Sequence, residues 1–329
     1  MKLGNLTLVN NLFLAPMAGI TDSPFRKLCT QLGAGLTVSE MIWAHPGTRF
    51  CTKTLRRLNH EAEEQPRSVQ IAGADPVMMA EAAKFNADMG ADIIDINMGC
   101  PAKKVCNSSA GSALLRDEGL VTRILERVVR AVDVPVTLKL RTGWDRKHKN
   151  ALAVAIIAQE SGINALFLHG RTRECGFSGE VEHDTAALIK SRISIPLIVN
   201  GDIRTPEQAV NVLSTTRADG IMIGRAARGN PWIFREIDYH LKTGKKYSPP
   251  GGKEIKKIIL NHLENIYRLY GEYPGVRIAR KHIGWYCMHR HSNDNRSFRI
   301  LVNRAETIKQ QYRIVSTCFN LEQAVESVI

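Results

Sequence analysis

Several features are scarce or missing in this sequence, and each absence excludes a class of protein. No run of about 18 uncharged apolar residues occurs, so no transmembrane helix is expected. The first residues, MKLGNLTLVNN, lack the basic start and long apolar stretch of a signal peptide. The seven cysteines are odd in number, scattered and never spaced as CxxC, which argues against a disulfide framework, a structural zinc site and an iron–sulfur cluster. We therefore expect a cytoplasmic protein with no membrane partner and no metal, in which any functional cysteine acts as a thiol.

Acidic residues are in the minority. The 329 residues include 45 Lys and Arg against 32 Asp and Glu, a net charge of +13. From residue 244 to the end there are 15 basic and 7 acidic residues, so +8 of that charge lies in the last 86 residues. Such an asymmetry favours a polyanionic partner, because each neutralised phosphate releases condensed counterions. A well-solvated surface gives the same composition, and charge alone does not separate the two interpretations.

Short apolar runs alternate with helical patterns through the first 240 residues or so, as in repeated βα units. We predict strands at 11–18, 36–42, 67–73, 93–99, 136–142, 165–171, 196–202 and 220–225. Helical spacing of apolar residues follows at 76–90, 120–132 and 151–162, and Thr205 before Pro206 predicts a capped helix start. Eight such units indicate an α/β fold, a (β/α)8 TIM barrel, with an open doubly wound sheet as the alternative.

Most of the predicted strands carry a polar residue near the C-terminal end of an otherwise apolar run. These are Gln70, Asn97 with Cys100 just beyond, Lys139 and Arg141, His169 and Arg171, Asn200 and Asp202, and Arg225. A buried polar group without a partner costs a few kcal/mol, so a set that converges at one barrel mouth indicates a binding site. Each residue taken singly is also compatible with a satisfied core position.

The loops after the last two predicted strands indicate a phosphate site. NGDIRT (200–205) and GRAARGNPW (224–232) combine glycines and backbone amides with arginines, and the residues from Asn230 onward suit the start of a short extra helix. Neither GxGxxG nor GxxxxGK[ST] occurs, so a Rossmann nucleotide fold and a P-loop are not indicated.

Six further stretches, together with one in the tail, resemble a known family. They are APMAGITDSPFR (15–26), DINMGCPAKKV (95–105), LKLRTGW (138–144), LHGRTR (168–173), VNGDI (199–203), IGRAARGNPWIF (223–234) and RIARKHIGWY (277–286). In this order they resemble the tRNA-dihydrouridine synthases, most of all the bacterial B-type branch. One departure from that branch is the run Cys106-Asn107-Ser108-Ser109, where basic residues are expected, which leaves local RNA contacts less secure.

The resemblance implies an activity and a set of site residues. Family members bind flavin mononucleotide (FMN) at the barrel mouth, reduce it with NADPH, and transfer hydride to C6 of a tRNA uracil while a cysteine protonates C5. By position, the flavin-binding residues are Pro16, Met17, Ala18, Gln70, Lys139, His169, Asn200, Gly201, Asp202, Gly224 and Arg225, and the acid is Cys100. Asn97, Arg141 and Arg171 correspond to positions near the flavin or the uracil, and the branch suggests uridine 17.

A cysteine suits the acid role on chemical grounds. Saturation of the C5=C6 bond needs a hydride on one carbon and a proton on the other. A thiol with a pKa of roughly 8.5 is still protonated at pH 7, whereas a carboxylic acid is normally ionised. Gly99 and Pro101 flank Cys100 and shape the loop that presents the sulfur.

The tail predicts a small helical bundle. Helical periodicity at 253–271 and 298–315, after the linker YSPPGG (247–252), suggests a flavin-binding barrel over 1–243 and a basic tRNA-binding domain over 244–329. We expect Arg280 and Lys281 to bind RNA, the neighbouring rings of Trp285 and Tyr286 to be core, and His282, His289 and His291 to lie on a face toward RNA or solvent. The chain is expected to be monomeric. A barrel of the dihydroorotate-dehydrogenase type acting on a free pyrimidine, and a non-catalytic RNA-binding barrel, remain alternatives.

Overall fold

The computed structural model describes residues 1–48, 50–58, 65–290 and 296–326. These residues form two compact units, Met1–Arg225 and Ala226–Ile329. The second unit begins before the expected boundary at 243/244 and takes in the helix that follows the last strand. The division of roles between residues 1–243 and 244–329 stays a prediction. None of the described helices is long and apolar enough to cross a membrane.

The strands of the first unit have the predicted order. An antiparallel hairpin of β1 (Lys2–Leu3) and β2 (Leu6–Thr7) comes first. Nine parallel strands follow within the described residues: β3 (Leu12–Leu14), β4 (Leu36–Thr37), β5 (Ile42–Trp43), β6 (Ser68–Ala72), β7 (Ile93–Met98), β8 (Val136–Arg141), β9 (Ala165–His169), β10 (Leu197–Asn200) and β11 (Gly220–Ile223). All eight predicted strands are present, and the one predicted at 36–42 is interrupted, giving β4 and β5.

The sheet closes into a barrel. Its order is β4-β3-β11-β10-β9-β8-β7-β6-β5, so β3 pairs with the last strand of the chain. Val38, directly after β4, forms a parallel bridge to Ser68 at the start of β6. Because β4 and β5 are two parts of one strand, the ring contains eight strands, as a (β/α)8 barrel requires. The barrel prediction is confirmed, and the open doubly wound alternative is wrong.

Apolar side chains fill the end of the barrel where the strands begin. Phe13 and Phe167 meet edge to face, with ring centroids 5.3 Å apart, and both are fully buried. Leu3 of the N-terminal hairpin packs into the same cluster together with Ile93 and Met222. This packing leaves the opposite end, where the strands finish, for polar side chains.

Helices follow the strands in the expected alternation. The first unit contains α1 (Ser23–Gln31), α2 (Thr52–Leu58), α3 (Pro76–Asp88), α4 (Lys103–Cys106), α5 (Glu118–Ala131), α6 (Ala151–Glu160), α7 (Asp184–Lys190) and α8 (Pro206–Thr216). The predicted cap of α8 is confirmed, because the backbone N–H of Gln208 donates to the Thr205 hydroxyl at 3.2 Å.

The second unit is helical, with one more break than predicted. It contains α9 (Ile233–Thr243), α10 (Gly252–Tyr270), α11 (Glu272–Arg290), α12 (Arg296–Arg304) and α13 (Ile308–Glu326) around a core that includes Ile259, Leu263, Ile283 and Tyr286. The continuous helical pattern predicted at 298–315 is wrong. Thr307 accepts from the backbone N–H of Gln310, whose side-chain oxygen accepts from the backbone N–H of Thr307. This capping box starts a new helix after a turn.

Candidate active site

A chain of buried hydrogen bonds joins the inward-facing side chains of β6, β7 and β8. Asp95 is fully buried and accepts from the Gln70 amide at 2.6 Å and from the Thr137 hydroxyl at 2.7 Å. The other end of the Gln70 amide accepts from the Asn97 side-chain N–H at 2.7 Å. Each side chain therefore fixes the orientation of the next, so the network sets which atoms of Asn97 face the following loop.

That loop carries Cys100. The side-chain oxygen of Asn97 accepts from the backbone N–H of Gly99 at 3.2 Å and from that of Cys100 at 3.0 Å. The Cys100 carbonyl accepts from the backbone N–H of Ser112 at 3.1 Å. A Cβ at Gly111, where φ is +62°, would lie 2.9 Å from the same carbonyl oxygen. The Asn97 side chain and the Ser112 N–H thus hold the cysteine backbone from two sides, and Gly111 leaves room for this close approach.

The thiol of Cys100 is half-buried, and its surroundings act on the two protonation states differently. Burial is the largest influence and raises the pKa of Cys100 above its ordinary value. The backbone N–H of Ala102 and the charge of Arg141 act in the opposite sense, because both stabilise a thiolate. The group is therefore a protonated thiol at neutral pH with partners ready for the thiolate.

Lys139 and Asn200 lie on the neighbouring part of the mouth. The Lys139 ammonium donates to the Asn200 side-chain oxygen at 3.1 Å, and the Asn200 amide donates to the Met222 carbonyl at 2.7 Å. Burial lowers the pKa of Lys139 to about 8, with the Asp95 carboxylate acting against the decrease, and burial raises the pKa of Asp95 to about 6. Each group therefore favours the charged form of the other.

Arg141 ties the cysteine loop to the loop after β9. It is 1% exposed, and it donates to the carbonyl of Gly99 at 2.7 Å and to those of Thr172 and Gly176 at 2.9 and 2.7 Å. Three carbonyl acceptors on two loops use most of the planar fork of a guanidinium. In this structure Arg141 therefore positions both loops around Cys100.

Asp202, which follows β10, pairs with arginines that follow the two neighbouring strands, β9 and β11. Its carboxylate accepts from Arg171 at 2.6 Å and is also paired with Arg225. Burial acts to raise the pKa of Asp202, but the hydrogen bonds from Arg171 and Arg225 outweigh it, and the pKa lies below its ordinary value.

His169, at the end of β9, is surrounded by cations. Burial, followed by the charges of Arg141, Lys139 and the other cations, holds the pKa of His169 well below its ordinary value, so the imidazole is neutral at pH 7.

The glycine-containing turn at Gly201 and Asp202 suits a phosphate-bearing group. Gly201 has φ of +145°, and a Cβ there would lie 2.6 Å from a methyl of Val181. Asp202 follows with φ of +44°, and the Arg225 side chain is 38% exposed beside it. Phosphate oxygens accept hydrogen bonds from the backbone N–H groups of tight turns and from arginine side chains, so this arrangement fits a phosphate.

The residues that follow β3 form an apolar wall beside this part of the mouth. The backbone of Met17 donates to the Thr21 hydroxyl at 2.9 Å, and Pro16 and Met17 are half-buried while Ala18 is exposed. A Cβ built on Gly224 would lie 3.7 Å from the Ala15 Cβ and 3.9 Å from the Met17 sulfur. An apolar surface next to charged donors fits a cofactor with a flat ring and a phosphate.

The predicted site residues of the barrel therefore lie at the ends of its strands, and most are joined by hydrogen bonds. The sequence analysis did not single out Thr137 or Asp95 as site residues. It missed Phe177, which is 60% exposed, with its ring centroid 5.4 Å from the Arg141 guanidinium carbon and 5.9 Å from that of Arg225. An aromatic residue between two glycines, GFSG, was the available signal for an exposed ring.

The residues predicted to bind RNA in the second unit have different surroundings. Arg280 donates to the Ala305 carbonyl at 2.9 Å, and Tyr286 is core, as predicted. Trp285 is only half-buried. The prediction for His282 is wrong, because it is 1% exposed and packs against His262, with ring centroids 4.9 Å apart. His289 is exposed, and His291 lies outside the described residues.

Solved structures with a similar fold include several enzymes. A 2-naphthoyl-CoA reductase complex matches 73% of this chain and 51% of its own with a TM-score of 0.59 and 12% identity. A histamine dehydrogenase from Rhizobium sp. 4-9 matches 80% of this chain and 50% of its own with a TM-score of 0.55 and 13% identity. At these identities the likeness concerns the fold alone.

Sequence comparison is more specific. Residues 13–327 match the family described as dihydrouridine synthase. The tRNA-dihydrouridine synthase B of Pseudomonas putida is 55% identical over 319 residues, which cover 97% of this chain and 94% of that protein. The protein of the same name from Shewanella oneidensis is 52% identical over 320 residues, with 97% and 98% covered. The chain belongs to the dihydrouridine synthase family, in its B-type branch.

Proposed function

We propose that this enzyme reduces the C5=C6 bond of a uridine in tRNA, at position 17 of the D-loop, to give 5,6-dihydrouridine. The observation that carries the proposal is the family match over residues 13–327, in a chain whose barrel mouth presents a protonated cysteine beside buried cations. The same match argues against both a free-pyrimidine dehydrogenase and a non-catalytic barrel.

The enzyme uses a flavin, and we infer that it is FMN reduced by NADPH. The turn at Gly201 and Asp202, with Gly224 and Arg225, would hold the phosphate and ribityl groups. Pro16, Met17 and Ala18, with Gln70, Lys139, His169 and Asn200, would surround the ring. A reduced flavin bound there would supply the hydride for C6. The Lys139 ammonium, which donates to Asn200, would place positive charge beside the ring and stabilise its anionic reduced form.

Cys100 donates the proton to C5. Burial keeps its sulfur protonated at neutral pH, and the loss of the proton leaves a thiolate. The Ala102 backbone N–H and the Arg141 charge then stabilise that thiolate. Asn97 keeps the loop in register, so the acid does not have to be repositioned during the reaction.

The base must leave the folded tRNA to reach this mouth. Extrusion is inexpensive for an unpaired loop nucleotide, which favours a D-loop position. Asn97, Arg141 and Arg171 would border the uracil, and Arg280 and Lys281 would bind the RNA backbone. We keep the monomeric state, the absence of a metal, the cytoplasmic location and the separate domain roles as predictions.

Direct assay of the purified full-length enzyme tests the proposal. The enzyme is expected to be yellow as isolated and to lose its visible absorbance with NADPH. It should then convert unmodified tRNA, with dihydrouridine at position 17 detected by mass spectrometry of tRNA fragments. Free uridine and orotate serve as controls. Turnover of a free pyrimidine without turnover of tRNA would contradict the proposal.

A further inference from the structure

The second unit contains a half-open pocket of about 390 Å³ between α11 and α12. Its lining includes four cations, Arg277, Arg280, Lys281 and Arg299, and none of the described residues that line it is acidic. The volume falls within the range of small-molecule sites, roughly 300–1,000 Å³. Four like charges around one cavity repel each other, so the pocket is suited to an anion that neutralises them.

The hydrogen bonding of Arg280 also points to a ligand. One terminal nitrogen donates to the Ala305 carbonyl at 2.9 Å, which fixes the guanidinium plane. Its Nε is buried and has no partner among the described residues. A buried donor without an acceptor is costly, and an anionic oxygen in the pocket would satisfy it. Arg277 and Arg299 are exposed, so their charges are available to a ligand that enters from solvent.

Aromatic side chains form another part of the wall. The Trp285 indole is half-buried, with the Arg228 guanidinium carbon 5.0 Å from its ring centroid. The His282 ring meets the same indole edge to face, with centroids 5.1 Å apart, so the indole is held in place. Phe298 of α12 is half-buried and also lines the pocket. Fixed aromatic rings beside cations are the usual platform for a nucleic-acid base and its phosphate.

From this combination we infer that the pocket binds one unpaired nucleotide of the tRNA, in addition to the uridine that reaches the barrel. The phosphate meets Arg277, Arg280 and Arg299, and the base stacks on Trp285. The inference rests on the proposed function, because it takes tRNA as the substrate. It gives the second unit a defined nucleotide site rather than a diffuse basic surface.

Two charge-matched pairs of substitutions test the inference in the full-length, flavin-loaded enzyme. Arg277→Gln with Arg299→Gln removes two charges from the pocket. Lys257→Gln with Arg313→Gln removes two exposed charges from α10 and α13, outside the pocket. Fluorescence anisotropy with labelled unmodified tRNA is expected to show at least tenfold weaker binding for the pocket pair and less than threefold for the control pair. The dependence of affinity on salt should also decrease more for the pocket pair.

The base contact has its own test. Trp285→Leu removes the flat ring, and Trp285→Phe keeps one, so we expect about tenfold weaker tRNA binding for Leu and less than threefold for Phe. Uridine 5′-monophosphate and inorganic phosphate, each added as a competitor, separate RNA from a free nucleotide or phosphate as the source. Displacement of tRNA by micromolar concentrations of either competitor would overturn the assignment to RNA.

Equal weakening of tRNA binding by the two charge-matched pairs would refute the pocket as a nucleotide site and would indicate a diffuse electrostatic surface. Flavin content and the midpoint of thermal unfolding are measured for each variant to show that it is folded. Arg299→Lys keeps the charge, so this variant should retain most of the affinity for tRNA. A wild-type enzyme that neither binds nor reduces tRNA would refute the proposed function. A wild-type enzyme that does both, with a pocket pair indistinguishable from the control pair, would refute only this inference.

Discussion

The two units use their cations in opposite ways. In the barrel, Lys139, Arg141 and Arg171 are at most 8% exposed, and each is held by hydrogen bonds to backbone or side-chain oxygens. In the second unit, Arg277 and Arg299 are exposed and line a half-open pocket. Buried cations with fixed partners suit a small molecule whose atoms must be placed accurately. Exposed cations suit a polyanion that exchanges counterions.

This contrast predicts how each unit responds to change. A buried charge that loses one partner is left in a medium of low polarity, so the loss is large and local. An exposed charge is screened by solvent and salt, so its removal has a graded effect. Substitutions in the barrel are therefore expected to have larger effects than substitutions in the second unit.

Replacement of the proposed acid should have the largest effect. Cys100→Ala removes the proposed proton donor but few contacts, so we expect uridine reduction to fall by about 10²–10⁴-fold. Flavin content, reduction by NADPH and tRNA binding should stay within about twofold of the wild type. Rapid-quench measurement of dihydrouridine under single turnover separates the chemical step from binding.

Cys51→Ala, at an exposed cysteine, is the matched control and should turn over normally. Because burial raises the pKa of Cys100, the contribution of its proton to activity should persist through neutral pH and be lost on the alkaline side as the thiol ionises. Wild-type rates in Cys100→Ala would refute the role of Cys100 as the acid.

Loss of Asp95 should have the next largest effect. Asp95→Ala leaves the Gln70 amide and the Thr137 hydroxyl without their acceptor and removes the negative charge near Lys139. We expect the free energy of unfolding to fall by about 3 kcal/mol and flavin affinity to fall with it. Denaturant titration followed by flavin fluorescence measures both quantities.

Asp95→Asn keeps an acceptor for Thr137 but places an N–H against the Gln70 amide, so an intermediate loss is expected. Asp133→Ala, at an exposed position, should change stability by less than about 0.5 kcal/mol. Equal stability of Asp95→Ala and Asp133→Ala would show that the buried network contributes nothing to the barrel.

Mild acid should lower the free energy of unfolding of the second unit. His262 is buried and bonded to the Tyr286 hydroxyl at 2.8 Å, and burial followed by the charge of Lys281 lowers its pKa to about 3. The unfolded chain binds a proton below about pH 6.5 and the folded unit does not, so stability decreases as pH falls from about 6.5 toward 3. At pH 5 the loss from this residue is about 2 kcal/mol, and His282, whose pKa is also lowered, adds to it.

Circular dichroism during heating at pH 7, 6 and 5 measures this loss. His262→Gln keeps a hydrogen-bonding group beside Tyr286 but does not titrate, so its midpoint should depend less on pH. His45→Gln, at an exposed histidine, should follow the wild type. The same pH dependence in all three proteins would rule out His262 as its source.

Site residues could be predicted from the sequence where the residue type and its position together allow one interpretation. Strand ends such as Gln70, Asn97 and Lys139 were recognisable because polar residues at the end of buried strands need partners. Pairing within the network was not recognisable, since Asp95, Gln70 and Asn97 could each have faced a ligand instead. The prediction for His282 was wrong because residues 277–286 of α11 carry basic side chains on more than one face, and only packing against α10 shows which face is buried. The turn before α13 was not predicted, because the apolar periodicity at 298–315 continues through Thr307.

The smallest expected effect concerns a single cation of the second unit. Lys281 lines the pocket and is half-buried, so Lys281→Gln removes one of its four cations and leaves three to bind phosphate. We expect tRNA affinity to fall about threefold at 150 mM salt, and the slope of log affinity against log salt to decrease by about one. Flavin content should not change, because the residues proposed to bind the flavin belong to the barrel. An unchanged slope would show that Lys281 meets no phosphate, while reduced flavin content would show that the barrel also depends on this charge.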